Sequence, residues 1–452
     1  MTEDTVIDID HYDGEGNRWS KKDIDRINET YDAYVVPLAD AFRDDFANKL
    51  NNYANLFRKL KIPCYVIGVG LRAPYEPQIS SGYAFDESVK NFVSAALERS
   101  AMIGLRGEIT GAYLESLGFR PEKDFTVIGC PSMYTFGRQL HQRPLQLTET
   151  SRISVNYSTT ATEEMMQFLF EVTQKYPNSQ YVGQRTAELA TLYVGKENLK
   201  KADPYYPSSL LHPLYRQNKV RVFSSANSWF RNMESVDLSI GGRLHGNVAA
   251  VLSGAPIIII PHDARMRELT AYHDFPCVPA NQLLPDMELD EVAASVDLSS
   301  HLRKQPQNFE HFVDFLNLNG ICHIYQENPN RRSAPIDTLL PEVMDTYDYL
   351  GFEPATVCSR EEILDRVLTY SDNLNRKQMN KELGTIKKTV NAQGHAIDDL
   401  KKQNNELKIQ NEELIARNKR LKSVLNSRSV KYSVKLRNLL VSKDKSVNLD
   451  DL

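Results

Sequence analysis

SVDLSIGGRLHGNVAAVLSGAPIIIIPHDARMREL, residues Ser235–Leu269, is the stretch that decides the fold. Its apolar start predicts a buried β-strand that ends at Gly241-Gly242, where two glycines allow a tight backbone turn. A helical pattern rich in small residues follows, and then a second apolar run, Ala255–Pro261. Strand, turn, helix and strand in this order are typical of a βαβ unit with parallel strands.

Similar units continue on both sides of this stretch. Short apolar runs alternate with amphipathic helical patterns in residues 31–150 and again in residues 151–326, and a helix at His311–Tyr325 is predicted to close the second series. We therefore expect an α/β protein with two Rossmann-like domains that face each other, preceded by a polar segment at residues 1–30. Ligands bind beyond the carboxyl ends of the strands in such sheets, so the chemistry is expected in the loops that follow the strands.

The composition excludes several classes of protein. The net charge of -5 gives no overall basic field for nucleic acid, and the densest apolar run is far shorter than the roughly 20 residues of a membrane span. The start, MTEDTVIDID, has neither the basic nor the apolar region of a signal peptide. Because the five cysteines are scattered without a CxxC pair, we expect a reduced, cytoplasmic setting in which they are buried as small apolar side chains.

A heptad pattern occupies residues 380–426. Leucine recurs every seventh residue, at Leu400, Leu407, Leu414 and Leu421. Asparagine stands three residues before the later leucines, at Asn404, Asn411 and Asn418. Leucine at d with asparagine at a favours a parallel two-stranded coiled coil, so we expect a homodimer through this segment, after a linker at residues 327–379. The alternative is a solvated helix that lies against its own domain.

Residues 427–452 mix lysine and arginine with leucine and valine, which predicts a basic amphipathic tail. One interpretation is weak contact with the anionic inner face of a membrane. The other is a frayed helix end whose charges are solvated.

The turn after Gly242 carries the residues best suited to chemistry. Arg243-Leu244-His245 lies at the start of a predicted helix, where the helix dipole favours an anion. Arg243 can bind a carboxylate or a phosphate through two parallel hydrogen bonds, and His245 can transfer a proton near neutral pH. The alternative is an arginine and a histidine in an ordinary loop.

Several motifs support a family resemblance. They are IPCYVIGVG at 62–70, GLRGEITGAYLESLGF at 104–119, VIGCPSMY at 127–134, GRLH at 242–245 with Ala249, Ala250, Gly254 and Pro256 after it, and PHDARMREL at 261–269. As a set, and over residues of about 30 to 280, they resemble the polysaccharide pyruvyl transferase family.

The resemblance implies a two-domain fold like that of the glycosyltransferases of the B type. It implies transfer of a pyruvyl group from phosphoenolpyruvate to sugar hydroxyls of a cell-surface polysaccharide or its precursor, as a ketal, with no metal and no further cofactor. His245 would be the general acid that protonates the methylene carbon of the donor. Arg106, Arg243 and Arg265 would bind the donor's carboxylate and phosphate.

Individual residues have structural alternatives. Arg106 follows an apolar strand and could merely cap the end of the sheet. Arg265 competes with Arg267, two residues later, for the donor role. His262 and Asp263 follow another strand and are expected on the acceptor side. Many family members also begin with a strand and a Gly-Asn-x-Gly-Asp loop that the acidic start of this chain lacks, so we expect a first domain that is shortened at its start.

Two other functions fit the same fold. A glycosyltransferase that uses a nucleotide sugar would be indicated by a glutamate pair or a base-stacking pocket in the second domain, and the sequence identifies neither. A non-catalytic scaffold for glycan assembly would recruit enzymes through the coiled coil, but it would not need Arg243 and His245 together. Pyruvyl transfer is therefore the leading hypothesis.

Overall fold

The computed structural model describes residues 19–194, 204–223, 225–283, 287–326, 328–329, 331, 400–424, 431–433 and 435–437. The chain divides into two compact units, Met1–Arg360 and Glu361–Leu452. Both predicted Rossmann-like domains lie in the first unit, each on its own parallel sheet. Among the described residues, no helix combines the length and the apolar character needed to cross a membrane.

The first domain contains four parallel strands that lie side by side in chain order. The strands are Tyr34–Pro37 (β1), Cys64–Val69 (β2), Ile103–Leu105 (β3) and Phe125–Val127 (β4). The helices are Lys21–Thr30 (α1), Ala47–Phe57 (α2), Asp86–Leu97 (α3) and Glu108–Ser116 (α4). Every strand falls on a predicted apolar run, and aromatic side chains such as Phe57 and Phe92 fill the core beside them.

The start of the first domain corrects one prediction. Residues 1–30 were expected to be a polar segment, but α1 occupies the last ten of them and buries Ile27 in the core of the first domain. The local signal is a capping box, in which Ser20 and Asp23 each accept a hydrogen bond from the other's backbone N–H. The domain therefore begins before residue 31, because one apolar side of a largely polar helix is sufficient to anchor it.

The second domain contains five parallel strands in the order β7-β6-β5-β8-β9. The strands are Ile153–Asn156 (β5), Gln180–Val182 (β6), Val220–Arg221 (β7), Leu238–Gly241 (β8) and Ile257–Ile259 (β9). The helices are Glu163–Lys175 (α5), Thr186–Val194 (α6), Pro213–Arg216 (α7), Ala226–Met233 (α8), Leu244–Leu252 (α9), Ala264–His273 (α10) and Leu289–Ala294 (α11). This is the doubly wound order of a Rossmann fold, and its topological switch point lies between β5 and β8.

The closing helix differs from its prediction in extent and in packing. It covers Ser300–Leu318 (α12) instead of residues 311–325, and it packs on the first sheet as well as on the second domain. Gly104 in β3 leaves room for the ring of Phe315, and His311 lies 2.8 Å from the hydroxyl of Thr126 in β4. The amphipathic pattern indicated a buried face of the helix, but a pattern does not specify which domain covers that face.

A third hydrophobic cluster joins the two domains. It combines Ile128 and Tyr134, which follow β4, with Val248 of α9 and Phe312 of α12. The rings of Tyr134 and Phe312 stack with their centroids 4.5 Å apart. Because each fully buried large apolar side chain contributes about 1.5–3 kcal/mol, this shared core holds the carboxyl ends of the two sheets against each other.

In the second unit, residues 400–424 form one helix. Its heptad leucines are exposed, at 52% to 63% of their surface. The structure therefore shows the helix that the heptads require, while the coiled coil itself stays a prediction. The predicted linker and basic tail lie outside the described residues, apart from residues 328–329, 331, 431–433 and 435–437.

Candidate active site

Two glycines shape the turn at the switch point. Gly241 has φ +136, and a Cβ there would lie 2.4 Å from the carbonyl oxygen of Asn156 at the end of β5. A Cβ on Gly242 would lie 2.5 Å from Met165 and 2.8 Å from the ring of His262. Glycine is required at Gly241, because a Cβ there would meet fixed backbone at a positive φ, whereas a Cβ at Gly242 would displace the end of Met165 and the ring of His262.

Hydrogen bonds among the buried side chains of Asn156, Ser239 and Asn247 hold the same turn in place. The side chain of Asn247 in α9 donates hydrogen bonds to the carbonyl oxygens of Gly241 (3.0 Å) and Arg243 (3.1 Å). Its own oxygen accepts from Asn156 (3.2 Å) and from the hydroxyl of Ser239 (2.9 Å). The backbone that presents residues 243–245 is therefore fixed by side chains from three neighbouring elements.

Arg243 is turned into the second domain. Its guanidinium donates two hydrogen bonds to the carboxylate of Glu188 in α6, one of them 2.9 Å long. Glu188 is fully buried, and it also accepts from the backbone N–H groups of Gln184 and Arg185 and from the hydroxyl of Tyr206. Burial alone would raise the pKa of Glu188, but the hydrogen bonds and charge of Arg243 lower it to about 2. Arg243 is thus a neutralised structural cation, and its role in donor binding stays a prediction.

His245 faces the opposite domain. It is the second residue of α9, its side chain is exposed, and its Nε2 lies 4.0 Å from the sulfur of Cys130, which follows β4 of the first domain. This contact joins the start of α9 to the loop after β4. The predicted general acid therefore lies where the carboxyl ends of the two sheets meet.

Arg106 follows β3, and its side chain binds backbone groups at the carboxyl end of the first sheet. Its Nε donates to the carbonyl oxygen of Gly68 (2.6 Å), one Nη to that of Leu38 (3.3 Å), and the other to the sulfur of Cys130 (3.2 Å). The structural alternative, a cap on the end of the sheet, is thus present. Its partners are neutral acceptors and a thiol, and none of the described carboxylates forms an ion pair with it.

Cys130 is the residue that the sequence analysis missed. It is fully buried, and it precedes a short 3-10 segment, Pro131–Tyr134. Burial alone would raise the pKa of its thiol, but His245, Arg106 and the backbone at Ser132 lower that pKa to about 6. The expected burial among apolar side chains is confirmed for Cys130, and the lowered pKa of its thiol is what the sequence did not indicate. The rule that selected Arg106 by its position after a strand would have selected Cys130 as well.

The other described cysteines differ from Cys130 in burial or in the pKa of the thiol. Burial raises the pKa of Cys64 to about 12, as expected for an inert apolar site. Cys277 is partly buried and Cys322 is exposed, so the expectation of burial is wrong for them. Cys358 lies outside the described residues.

Arg265 and Arg267 in α10 have different surroundings. The guanidinium of Arg265 lies 3.7 Å from Asp40 and 3.9 Å from Asp263, both longer than a hydrogen bond, and its buried Nε has no hydrogen-bond partner. Arg267 donates to the carbonyl oxygen of Tyr75 (2.9 Å) and pairs with Glu76 at 2.7 Å. Arg265 therefore has no hydrogen bond to a carboxylate, whereas Arg267 has one, and the role of Arg265 in donor binding stays a prediction.

The two candidate acceptor residues lie beside this helix. Nε2 of His262 lies 3.0 Å from the hydroxyl of Ser158 and 2.9 Å from that of Thr160, both in the loop after β5. Asp263 caps α10, since its carboxylate accepts a hydrogen bond from the backbone N–H of Met266 at 2.7 Å. A cap is a structural role for Asp263, and the acceptor role of both residues stays a prediction.

Helix α10 also docks on the first domain through Glu268. Its carboxylate accepts hydrogen bonds from the backbone N–H of Thr110 (2.8 Å) and from the Thr110 hydroxyl (2.9 Å). Burial raises the pKa of Glu268 to about 7, although Thr110 and Arg106 oppose this shift. The predicted site residues therefore lie next to an interdomain contact that changes its charge near neutral pH.

The predicted site residues fall into separate groups. Arg106 and His245 meet at Cys130, and we call these three residues the thiol cluster. Arg265 is connected to the thiol cluster through the loop after β1. Its guanidinium lies 3.7 Å from Asp40 in that loop, and the carbonyl oxygen of Leu38 in the same loop accepts a hydrogen bond from Arg106. Within the described ranges, no group of three His, Cys, Asp or Glu side chains could hold a metal ion.

Residues 3–264 match the family model for polysaccharide pyruvyl transferases. No curated protein sequence matches the chain significantly. The structure is weakly similar to the glycotransferase of kitacinnamycin (12% identity, 65% of this chain, 76% of that one, TM-score 0.32). It is also weakly similar to the glycosyltransferase SnogD from Streptomyces nogalater (13%, 64%, 99%, TM-score 0.27). A third such structure is the UDP-GlcNAc 2-epimerase from Neisseria meningitidis (12%, 70%, 77%, TM-score 0.32). These TM-scores support no inference about activity.

Proposed function

The chain belongs to the polysaccharide pyruvyl transferase family, and from that premise we propose that it transfers a pyruvyl group from phosphoenolpyruvate to two hydroxyls of a sugar, forming a ketal. The acceptor would be a cell-surface polysaccharide or its precursor. The observation that carries the proposal is the position of His245, exposed at the N-terminal turn of α9 and in contact with the loop after β4 of the other sheet.

His245 has the chemistry that the first step needs. A proton from the imidazolium adds to the methylene carbon of phosphoenolpyruvate, and the adjacent carbon becomes an oxocarbenium-like centre. One sugar hydroxyl adds to that carbon and loses its proton. Phosphate then leaves with its bonding electron pair, and a second hydroxyl adds with loss of its proton to complete the ketal. Arg106 and Arg265 would stabilise the carboxylate and the departing phosphate.

Arg265 is the best anchor for the anionic donor. Its Nε has no hydrogen-bond partner, and its nearest carboxylates lie beyond hydrogen-bond distance. A phosphate at the exposed part of the guanidinium could replace these two long ion pairs, at 3.7 and 3.9 Å, without breaking a hydrogen bond. Arg243 would have to leave Glu188 to do the same, so it supports the proposal less than the sequence suggested.

Calorimetry with phosphoenolpyruvate tests the donor. We expect micromolar-range binding by the wild type, a loss of about tenfold or more in Arg265→Ala, since a charge-assisted contact is worth about 1.5–3 kcal/mol, and little change in Arg267→Ala. Arg267 is a matched control because it lies in the same helix and is paired with Glu76. Binding of a nucleotide sugar in place of phosphoenolpyruvate would favour glycosyl transfer, and binding of neither would favour a scaffold.

The role of His245 is tested separately. His245→Ala should abolish turnover of phosphoenolpyruvate with a glycan acceptor and leave calorimetric binding of the donor largely intact, because the imidazole acts on the methylene carbon and not on the anionic groups. An equal loss of binding and turnover would mean that His245 is structural.

We also propose that the chain is a homodimer through residues 380–426. The exposed heptad leucines of helix 400–424 support this, because a buried seam would remove them from water. Leu407→Lys in the seam should yield a monomer by sedimentation. Ile409→Lys, which changes an equally exposed apolar residue outside the seam, should leave the dimer intact. A dimer that survives Leu407→Lys would place the interface elsewhere.

A further inference from the structure

Helix α4 begins at a residue that cannot cap it, because its N-cap residue is Gly107, which has no side chain. The missing acceptor comes from the other domain. The carboxylate of Glu268 in α10 accepts hydrogen bonds from the backbone N–H of Thr110 at 2.8 Å and from the Thr110 hydroxyl at 2.9 Å. Thr110 is the third residue of α4, where the side chain of an N-cap residue normally binds. Glu268 therefore caps a helix of the first domain from the second domain.

Two glycines make room for this carboxylate. A Cβ on Gly107 would lie 2.5 Å from the Cβ of Glu268, so a larger residue would displace the cap. A Cβ on Gly70, in the loop after β2, would lie 3.3 Å from Oε1 of Glu268 and also 3.3 Å from the Cβ of Arg106. The side chains of Glu268 and Arg106 therefore pack against the same glycine.

The backbone of Arg106 is held on both sides by the contacts that surround this cap. Its own N–H donates to the carbonyl oxygen of Val69 at the end of β2. The hydroxyl of Thr110 accepts a hydrogen bond from the N–H of Leu71 at 2.9 Å while it donates to Glu268. Arg106 therefore lies between a strand end and a helix start, and Glu268 fixes that helix start.

The helix that carries Glu268 also carries Arg265, three residues earlier and so about one turn away. The guanidinium of Arg265 lies 3.7 Å from Asp40, and the guanidinium of Arg106 donates to the carbonyl oxygen of Leu38 at 3.3 Å. Because Leu38 and Asp40 are two residues apart, their Cα atoms are at most about 7 Å apart. The two guanidiniums therefore reach the same short loop from opposite domains.

We propose that Glu268 is a positioning residue that sets the spacing between Arg106 and Arg265, so that one molecule with two anionic groups can bind to both. This use of the spacing rests on the proposed function, whereas the cap on α4 does not. Hydrogen bonds fix both distance and direction, which apolar packing between two domains does not. Because the contact needs only an acceptor oxygen, Glu268→Gln should preserve it.

Two anions test the spacing, phosphoenolpyruvate with two anionic groups and inorganic phosphate with one. Their dissociation constants for the full-length protein are measured by 31P NMR titration. We expect Glu268→Ala to weaken binding of phosphoenolpyruvate about tenfold or more, as for the loss of one charge-assisted contact, and to leave phosphate within about twofold. Glu268→Gln should bind both anions like the wild type. The matched control is Glu76→Ala, which removes an exposed ion pair between α10 and the loop after β2 and should change neither constant.

A double-mutant cycle shows whether Glu268 acts through Arg106. In the Arg106→Ala background, Glu268→Ala should weaken binding of phosphoenolpyruvate no further, because the guanidinium that it positions is absent. Additive losses would overturn the proposal. Equal losses for phosphoenolpyruvate and phosphate in a folded Glu268→Ala protein would also overturn it, since a change in spacing should affect only the anion that binds at two points.

A second variant covers the case in which Glu268→Ala does not fold. Thr110→Val removes the hydroxyl that joins Glu268 to Leu71 but keeps the backbone N–H that Glu268 binds. Binding of phosphoenolpyruvate should weaken about two- to tenfold, the range for one neutral hydrogen bond, and binding of phosphate should not change. An unchanged affinity for both anions would overturn the proposal.

Backbone amide exchange separates this proposal from the proposed function. Exchange of the Thr110 N–H, followed by mass spectrometry, should be about tenfold faster or more in Glu268→Ala and unchanged in Glu268→Gln, whatever the donor is. If the exchange behaves in this way but the wild type does not bind phosphoenolpyruvate, the cap stands and the pyruvyl donor is wrong. The same exchange rate in the wild type and in a folded Glu268→Ala protein would overturn the positioning role even if phosphoenolpyruvate binds.

Discussion

The carboxyl ends of the two sheets, which we call the two edges, meet at the site, and each edge holds its arginine in a different way. In the second domain, Arg243 is paired with the buried carboxylate of Glu188. In the first domain, Arg106 contacts two carbonyl oxygens and the thiol of Cys130, and none of the described carboxylates pairs with it. One guanidinium therefore has a carboxylate counter-ion inside its own domain, whereas the other has none among the described carboxylates.

The two edges also respond differently to pH. The pKa of Glu188 is lowered to about 2, so the pair with Arg243 keeps its charges throughout the neutral range. Beside Arg106, the pKa of Cys130 is about 6 and that of Glu268 about 7, so both groups titrate near neutrality. The difference indicates that the second edge provides a fixed frame, while the first edge provides charges that can change during a reaction.

Loss of the buried carboxylate should have the largest effect. In Glu188→Gln, Arg243 keeps its charge but loses its counter-ion, so we expect a loss of about 3–5 kcal/mol in the free energy of unfolding. Urea unfolding of the full chain measures this loss. Addition of Arg243→Met to Glu188→Gln should recover most of it, because the variant then contains no unpaired charge at this position. A loss below about 1 kcal/mol in the single variant would show that the pair is not a structural frame.

Glu268 should make the free energy of unfolding depend on pH, and this effect should be smaller than the loss expected for Glu188→Gln. Its pKa is about 7 in the folded chain against 4.5 for an ordinary glutamate, so the folded state binds the proton more tightly. Its contribution is therefore most favourable below pH 4.5 and is lost as the pH rises through 7, by up to about 3 kcal/mol, because each unit between a pKa of 4.5 and one of about 7 is worth about 1.4 kcal/mol.

Comparison with Glu268→Gln isolates this contribution. The amide is neutral at every pH, so the stability of the variant relative to the wild type should rise between pH 5 and pH 8. Thermal unfolding at four pH values measures the difference and cancels the other titrating groups, including Cys130. A difference that stays constant with pH would mean that Glu268 is ionised in the folded chain, and the contrast between the two edges would be lost.

The sequence predicted the elements of both edges better than it predicted their contacts. The strands fall on the apolar runs because burial inside a sheet requires such runs, and the helix after Gly242 begins where the two glycines allow the turn. The thiol cluster could not be predicted in the same way. Cys130 and His245 are 115 positions apart, and only the docking of one domain on the other brings them together.

The role of Arg243 illustrates the same limit. Its sequence context at a helix start after a strand is that of an anion-binding residue, and this was the basis of the prediction. Glu188, 55 positions earlier, follows a different strand, and its buried carboxylate takes up the guanidinium instead. Local patterns identify residues suited to bind anions, but they do not show whether the fold already supplies the anion.

Of these variants, Arg267→Ala is expected to change the free energy of unfolding least. It is also the control for the comparison between buried and exposed ion pairs. Its pair with Glu76 is as short as a good hydrogen bond, at 2.7 Å, but the two side chains are 38% and 76% exposed. Water therefore screens the charges, and Arg267→Ala should cost less than about 1 kcal/mol in urea unfolding. A small loss would also show that Arg267→Ala is a sound control for the proposed binding of the donor by Arg265. A loss as large as that of Glu188→Gln would mean that distance, and not burial, determines the strength of the ion pairs around this site.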